Sequence, residues 1–248
     1  MPWYAKLGIL TVLWALFSDS PSWGLEPIWA KNAVRVQTSC DPATRIRIQS
    51  PDGTLVAEVS CEPRDRDGDR KVFLRISGLR GNARDVELPE GASELLWAPD
   101  SNSFFINGGK SGYAGFFVLV YDLRSDHVEG RDITSEAQKD MVAIFPPCKA
   151  ANRTEEDCKR IEQNLQYNMS GLAWTRGSAA IVVFAEVPCS SSYGGIMCQV
   201  EGYELDVATG RILRRLTARE MKKEWQKAAA WEIRIPDPPT YGPPWIGK

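Results

Sequence analysis

A single histidine, His127, occurs in the 248 residues, and this scarcity leaves little room for several chemistries. Ser–His–Asp and Cys–His catalysis would both need it as the base. It stands in the turn Ser125-Asp126-His127-Val128, and no G-x-S-x-G nucleophile elbow accompanies it. Zinc is disfavoured on the same ground, because no CxxC spacing exists among the six cysteines. Positive charge is not in surplus either. The 30 Lys and Arg face 32 Asp and Glu, a net charge of −2, so phosphate neutralisation cannot support nucleic-acid binding. Long apolar runs are missing too. The apolar core at 7–17 (LGILTVLWALF) has eleven residues, where a membrane span needs about 20.

That short run reads instead as an export signal. Lys6 supplies a thin positive start, and 18–24 is small and polar, with cleavage expected after Gly24. An uncleaved anchor is the alternative. The mature chain is expected outside the cytoplasm, periplasmic or secreted, with no stable membrane span after cleavage. All six cysteines survive that cleavage, an even number in a chain bound for an oxidising compartment. Six thiols allow 15 pairings, which spacing alone does not resolve. The hairpin reading below selects three local staples: Cys40 with Cys61, Cys148 with Cys158, and Cys189 with Cys198. A hydrophobic content of 43% is ample for a core.

An apolar approach, a tight polar turn and a second apolar run recur three times along the chain. They appear at 45–60 (RIRIQSPDGTLVAEVS), at 95–108 (LLWAPDSNSFFING) and at 172–187 (LAWTRGSAAIVVFAEV). A second hairpin follows each copy, at 72–88, 116–133 and 202–216. Period-two alternation, as in Val72-Phe73-Leu74-Arg75-Ile76, marks half-buried strands. The runs 116–120 and 180–184 are continuously apolar and suit strands buried on both faces. Pro51-Asp52-Gly53 and Pro99-Asp100-Ser101 carry the turn chemistry. The expected fold is mainly β: three four-strand antiparallel units, β-propeller-like, closed or open, with about three short capped helices.

Two helix starts repeat with the strands. Ser135 with Gln138, and Thr217 with Glu220, have capping-box spacing and predict helices near 136–144 and 218–231. A third helix is predicted from Thr154, inside an insertion at 141–167. Pro51 and Pro99 are 48 positions apart, whereas Pro99 and Arg176 are 77 apart, which locates the extra residues. The organisation is therefore a signal at 1–24, one domain at 25–234 with a helical insertion near 134–168, and a Pro-rich tail at 235–248. That tail is expected to be extended, with Tyr241 and Trp245 packing onto the body or offered to a partner groove.

Ser50-Pro51-Asp52-Gly53 before an apolar strand, and Asp206-Val207-Ala208-Thr209-Gly210 closing a later hairpin, resemble the TolB-type (WD-like) repeats of bacterial extracytoplasmic β-propellers. Trp97–Asp100 with Phe104–Ile106 also fits, while Trp174-Thr175-Arg176-Gly177 keeps the aromatic and the glycine but loses Pro-Asp. The resemblance covers 45–217 and implies a propeller whose members bind proteins, act as scaffolds or carry enzymes on neighbouring domains. Complete propellers usually close with at least four blades, and three are countable here. A degenerate unit in 25–41 with the C-terminal region, an open stack, or association of chains would each resolve the shortfall.

Apparent site motifs dissolve on inspection. Gly108-Gly109-Lys110-Ser111-Gly112 lacks both the upstream glycine and the following helix of a phosphate loop. Asp65, Asp67 and Asp69 have Arg70 and Ile76 where a calcium loop needs glycine and a bidentate acid. No cofactor and no metal are expected. The two equivalent loops 111–115 and 192–195 each set one tyrosine among Ser and Gly, a composition suited to recognition. Lys110, Tyr113, Ser192 and Tyr193 are accordingly the candidate contacts for a ligand or partner, the latter an envelope or extracellular protein. No catalytic constellation emerges, so an exported, disulfide-stabilised binding or scaffold protein is preferred. The alternative is a secreted hydrolase with an acidic pair in a cleft between sheets.

Overall fold

The computed structural model describes residues 29–36, 46–61, 71–78, 83–89, 91–109, 116–124, 128–147, 167–189 and 191–241. The three repeated phrases and their following hairpins become three antiparallel sheets. The first runs in chain order through β2 (Arg47–Gln49), β3 (Val56–Cys61), β4 (Val72–Ser77) and β5 (Arg84–Glu87). The middle sheet holds β6 (Ala92–Trp97), β7 (Ser103–Gly109), β8 (Phe116–Asp122) and β9 (Arg131–Asp132), and the third holds β10 (Asn168–Thr175), β11 (Ala180–Glu186), β12 (Val200–Asp206) and β13 (Ile212–Thr217). A short strand β1 (Val34–Arg35) adds a fifth member to the middle sheet by pairing with β6. Of the N-terminal segment's described residues, 29–36, β1 joins the middle sheet and Ala30 bridges Ala229, so they form no sheet of their own. The architecture is an open, β-propeller-like stack of three sheets.

Burial follows from the stacking. In β7, Phe104 and Ile106 pack into the cluster shared with Ile48, Ala57, Leu74 and Ile76 of the first sheet. Phe105, on the opposite face, packs into the cluster containing Ile181, Val183 and Ala185 of the third. A strand covered on both faces must be apolar on both, which is why β7, between two sheets, and β11, between the middle sheet and Met221, Ala229 and Ile233, lose their alternation. Each such fully buried phenylalanine contributes about 1.5–3 kcal/mol relative to exposure.

Two α-helices occur among the described residues. α1 (Ser135–Ile144) buries Ala137 and Met141 against the third sheet's inner face. α2 (Ala218–Trp225) opens with the expected capping box: the Glu220 N–H donates to Thr217 Oγ1 while the Thr217 N–H donates to the Glu220 carboxylate. At α1 the expected Ser135–Gln138 box does not form. Thr134 is the N-cap residue, and the Gln138 carboxamide instead donates to Tyr167 O (2.7 Å) and accepts from Tyr167 N–H (3.0 Å). It closes the chain's return from the insertion, two long-range bonds in place of one local one. α2 stops at Trp225 rather than running to Trp231, because the Gln226 side chain bonds both Trp231 O and Ile233 N–H and turns the chain back. Trp231 then meets Trp29 and Phe184 edge-on. The helix predicted from Thr154 lies outside the described residues.

The three first-hairpin turns are equivalent by register, since Gln49↔Val56, Trp97↔Phe104 and Trp174↔Ile181 each enclose six residues. Gly53, Ser101 and Ser178 then occupy one position, and all three have positive φ, 74°, 61° and 79°. A side chain there is strained, usually by about 1 kcal/mol or more, yet two of the turns carry serine. The hydroxyls explain this. The Asp52 N–H donates to Ser101 Oγ (3.1 Å), and the Asp100 N–H donates to Ser178 Oγ (3.3 Å). The donors of the first and second turns are thus satisfied by the serine of the next sheet, and glycine suffices in the first turn, which has no preceding turn to serve.

Candidate functional site

Four segments distant in sequence converge at one end of the third sheet. Tyr167, where the chain returns to the body, donates its hydroxyl to Phe145 O at the end of α1. Beyond β11 the chain passes Cys189, makes a tight 3-10 turn (Ser191–Ile196) and returns through Cys198 to β12. Cys189 and Cys198 form the expected disulfide, with Cα atoms 4.5 Å apart. The ladder continues inside this closure, because the Cys198 N–H donates to Val187 O and the Val187 N–H to Gln199 O. Glu186 lies beside the staple, its carboxyl 3.6 Å from Cys189 Sγ. Burial pushes that carboxyl above its ordinary range, against a hydrogen bond from Asn168 that lowers it.

The C-terminal segment lies across this loop as an extended strap. The Gln199 Nε2–H donates to Asp237 O (2.7 Å), the Thr240 N–H donates to Gly195 O (3.0 Å), and the Tyr241 hydroxyl donates to Ile144 O (3.3 Å). Gly195 is required by the approach itself, since a Cβ there would stand 1.8 Å from Thr240 O. The expected packing of Tyr241 onto the body is present, and Trp245 lies outside the described residues. Met197 (47%) and Tyr241 (45%) remain exposed on this otherwise braced end.

Of the residues singled out in the sequence, Tyr193 belongs to this end. It is half-buried, its ring centroid 6.1 Å from that of Tyr167. Ser192 contributes backbone to the same turn. Lys110 and Tyr113 lie outside the described residues, as do Cys40, Cys148 and Cys158; Cys61 ends β3. Sequence reading missed Tyr167, Met197 and Thr240. A glycine pair beside Tyr193 was the only local hint of a close approach.

A second polar group sits between α1 and the third sheet. The Tyr203 hydroxyl donates to Asp140 Oδ2 (2.9 Å), and Arg215 Nη1 lies 3.6 Å from the same oxygen. Glu201 shares the face of β12 with Tyr203, and its Oε2 is buried without a hydrogen-bond partner. Burial pushes the Glu201 carboxyl up to about 7, Asp140 and Glu220 adding to the rise and Arg215 opposing it. Burial and the bond to Asp140 hold the Tyr203 hydroxyl far above its ordinary range. Elsewhere, an open groove of about 770 Å³ runs beside Lys31, Arg35 and Trp231.

No family model matches the chain, and no curated protein matches it. Among solved structures, an acylaminoacyl peptidase of Pyrococcus horikoshii is similar with a TM-score of 0.37 and 12% identity, over 75% of this chain and 25% of that one. The chain thus spans about a quarter of the length of the structure it matches. That score is too low to transfer fold detail or activity.

Proposed function

We propose that this chain is an exported binding or scaffold protein of TolB-type, WD-like descent that engages an envelope or extracellular partner through the strapped end of its third sheet. The observation that carries the reading is the exposure of Met197 and Tyr241 on a frame fixed by a disulfide, the contact of buried Tyr167 with half-buried Tyr193, and the strap. Rigid placement lowers the ordering cost of association, so a few exposed apolar and aromatic anchors suffice for specificity. Export is supported by the apolar leader at 7–17 and by the Cys189–Cys198 disulfide, which suits an oxidising compartment. No helix among the described residues is long and apolar enough to cross a membrane. The test is affinity capture from the oxidised envelope fraction. Met197→Asp/Tyr241→Asp is expected to lose a partner that the parent protein and an Arg75→Gln control both retain. Equal recovery by all three would place the binding surface elsewhere and defeat the reading.

A secreted hydrolase is the second reading, favoured by Glu201 alone. A carboxyl poised at about 7 beside a second acid, Asp140, is suited to proton transfer at neutral pH. Hydrolysis of a panel of glycosides and peptides that disappears in Glu201→Gln would establish it. Undiminished turnover in that variant would remove Glu201 from consideration.

A further inference from the structure

The loop that anchors the strap is itself closed by a covalent bond that a reductant can open. Cys189 is exposed, so a small dithiol or a dithiol protein can reach it, whereas a staple in the core would be shielded. Cys198 is held at φ 60°, a left-handed conformation that is strained for a non-glycine residue and persists only where its surroundings fix it. Between the two cysteines lies Gly195, whose carbonyl receives the strap's Thr240 amide, and immediately after Cys198 comes Gln199, whose carboxamide holds Asp237. Both loop-to-strap bonds therefore come from residues inside the disulfide-closed loop or directly beside its second cysteine.

We propose that the Cys189–Cys198 disulfide is a redox latch on the C-terminal strap, closed when oxidised and releasing 236–241 when reduced. Its use in partner binding rests on the reading above, but its mechanics do not. A dithiol attacks Cys189 Sγ and the S–S bond breaks. The mixed disulfide is then resolved by the reductant's second sulfur. Cys189 and Cys198 end as thiols carrying the two protons the dithiol gave up, and the dithiol ends as a disulfide. Freed of the cross-link, the loop regains the chain entropy that closure had removed, and the strap loses the ordered acceptor and donor it lay against. Release would free the Pro-rich stretch, in which Pro236 and Pro239 are half-buried and Pro238 is exposed, and uncover the Gly195 edge together.

Hydrogen exchange on the full chain tests this. In Cys189→Ser/Cys198→Ser, the Thr240 amide, which donates to Gly195 O, is expected to exchange at least about tenfold faster, while the amides of β6, β7 and β8 keep their parent rates. Unchanged exchange in the strap overturns the latch, and so does an equal acceleration throughout the sheets, which is the signature of a merely stabilising cross-link. Should the double variant not fold, the parent protein is reduced with dithiothreitol and alkylated, with Cys189 and Cys198 confirmed as modified by mass before exchange. Partner capture by the oxidised and reduced forms separates the two ideas. A strap that opens without any partner in either form supports the latch and sinks the binding reading. A partner captured while the strap stays closed on reduction does the reverse.

Discussion

Asn107→Leu is expected to lower the unfolding free energy by about 3–5 kcal/mol, enough to leave little of the stability of an ordinary domain. Asn107 is fully buried in β7, and its carboxamide is a substitute for a missing strand. Its Oδ1 accepts from the Gly171 N–H (2.8 Å) and its Nδ2 donates to Gly171 O (2.7 Å), so one side chain satisfies both backbone groups of a residue in the third sheet. The same Nδ2 donates to Glu94 Oε1 (2.5 Å). Glu94, also fully buried, accepts from the Trp29 and Ala30 amides at 2.8 and 3.0 Å. Leucine keeps the volume but strands the Gly171 amide and carbonyl and removes the side-chain donor to Glu94, each at about 1–3 kcal/mol. Urea denaturation measures the loss, and a change under 1 kcal/mol would show that water replaces the carboxamide. Asn107→Asp is a sharper probe. Burial already raises the Glu94 carboxyl above its ordinary range, and a second carboxyl at this point must share a proton with it. That variant should be worst at neutral pH and recover part of its stability in acid.

This network also shows which information a sequence withholds. Asn107 and Gly171 are separated by 64 positions, as are Glu94 and Ala30, and nothing local marks either pair. The strands themselves were legible, because alternation in 72–76 and the continuous apolar run at 180–184 report directly on how many faces are covered, whereas the equally apolar run at 116–120 is only half-buried at Phe116, Phe117 and Leu119. Thr217 with Glu220 was legible because both halves of the box lie within one turn. Ser135 with Gln138 has identical spacing, yet Gln138 serves Tyr167, 29 positions away. Spacing states what a side chain can reach, and tertiary competition decides what it takes. Cys189 with Cys198 succeeded as a hairpin-mouth pair for the opposite reason, since the ladder on both sides of the loop leaves the two no other neighbours in register.

The shortage of sheets relative to a closed propeller has a physical resolution at both ends of the stack. On the third sheet's outer face, Leu172, Val182, Phe184 and Leu216 are covered by Met221 of α2 and by Ala229 and Ile233. A helix and its return segment occupy the position of a further blade. The first sheet's outer face takes the other solution. Arg47↔Glu58, Glu58↔Arg75 and Arg75↔Asp85 are cross-strand partners, so alternating charges run straight across all four strands beside a half-buried Phe73. Such exposed pairs add little stability one by one. Their effect is to make stacking of another sheet costly, because every charge in the row would have to be desolvated. Among the described residues one end is covered and the other is charged, which disfavours the stacking of a further sheet at either end.

Glu201 should make this protein lose stability as pH rises toward neutrality. The ordinary glutamate value is 4.5 and the folded-state value is about 7, so the native state holds a proton that the unfolded chain has released. The sign follows from linkage: where the native state binds more protons, stability falls with increasing pH. Its contribution is therefore intact below about pH 4.5 and is lost progressively through about 7. A shift of that size would correspond to more than 3 kcal/mol for a fully shielded group, but Glu201 is only partly buried, and solvent screening reduces the expected loss to about 2 kcal/mol. Glu201→Gln isolates the effect from other titrating groups. The parent's unfolding free energy, followed by urea titration from pH 4 to 8, should decline by about 2 kcal/mol relative to the glutamine variant. Ionised Glu201 faces Asp140 from α1 and Glu220 from α2, with Arg215 alone among the described residues on the attractive side, so the weakening should concentrate where α1 docks. Faster amide exchange in α1 at pH 8 than at pH 5, after correction for intrinsic rates and absent from the glutamine variant, would locate it there. Parallel stability curves for the two proteins would mean that water reaches Glu201 Oε2 and that the carboxyl titrates as an ordinary surface acid.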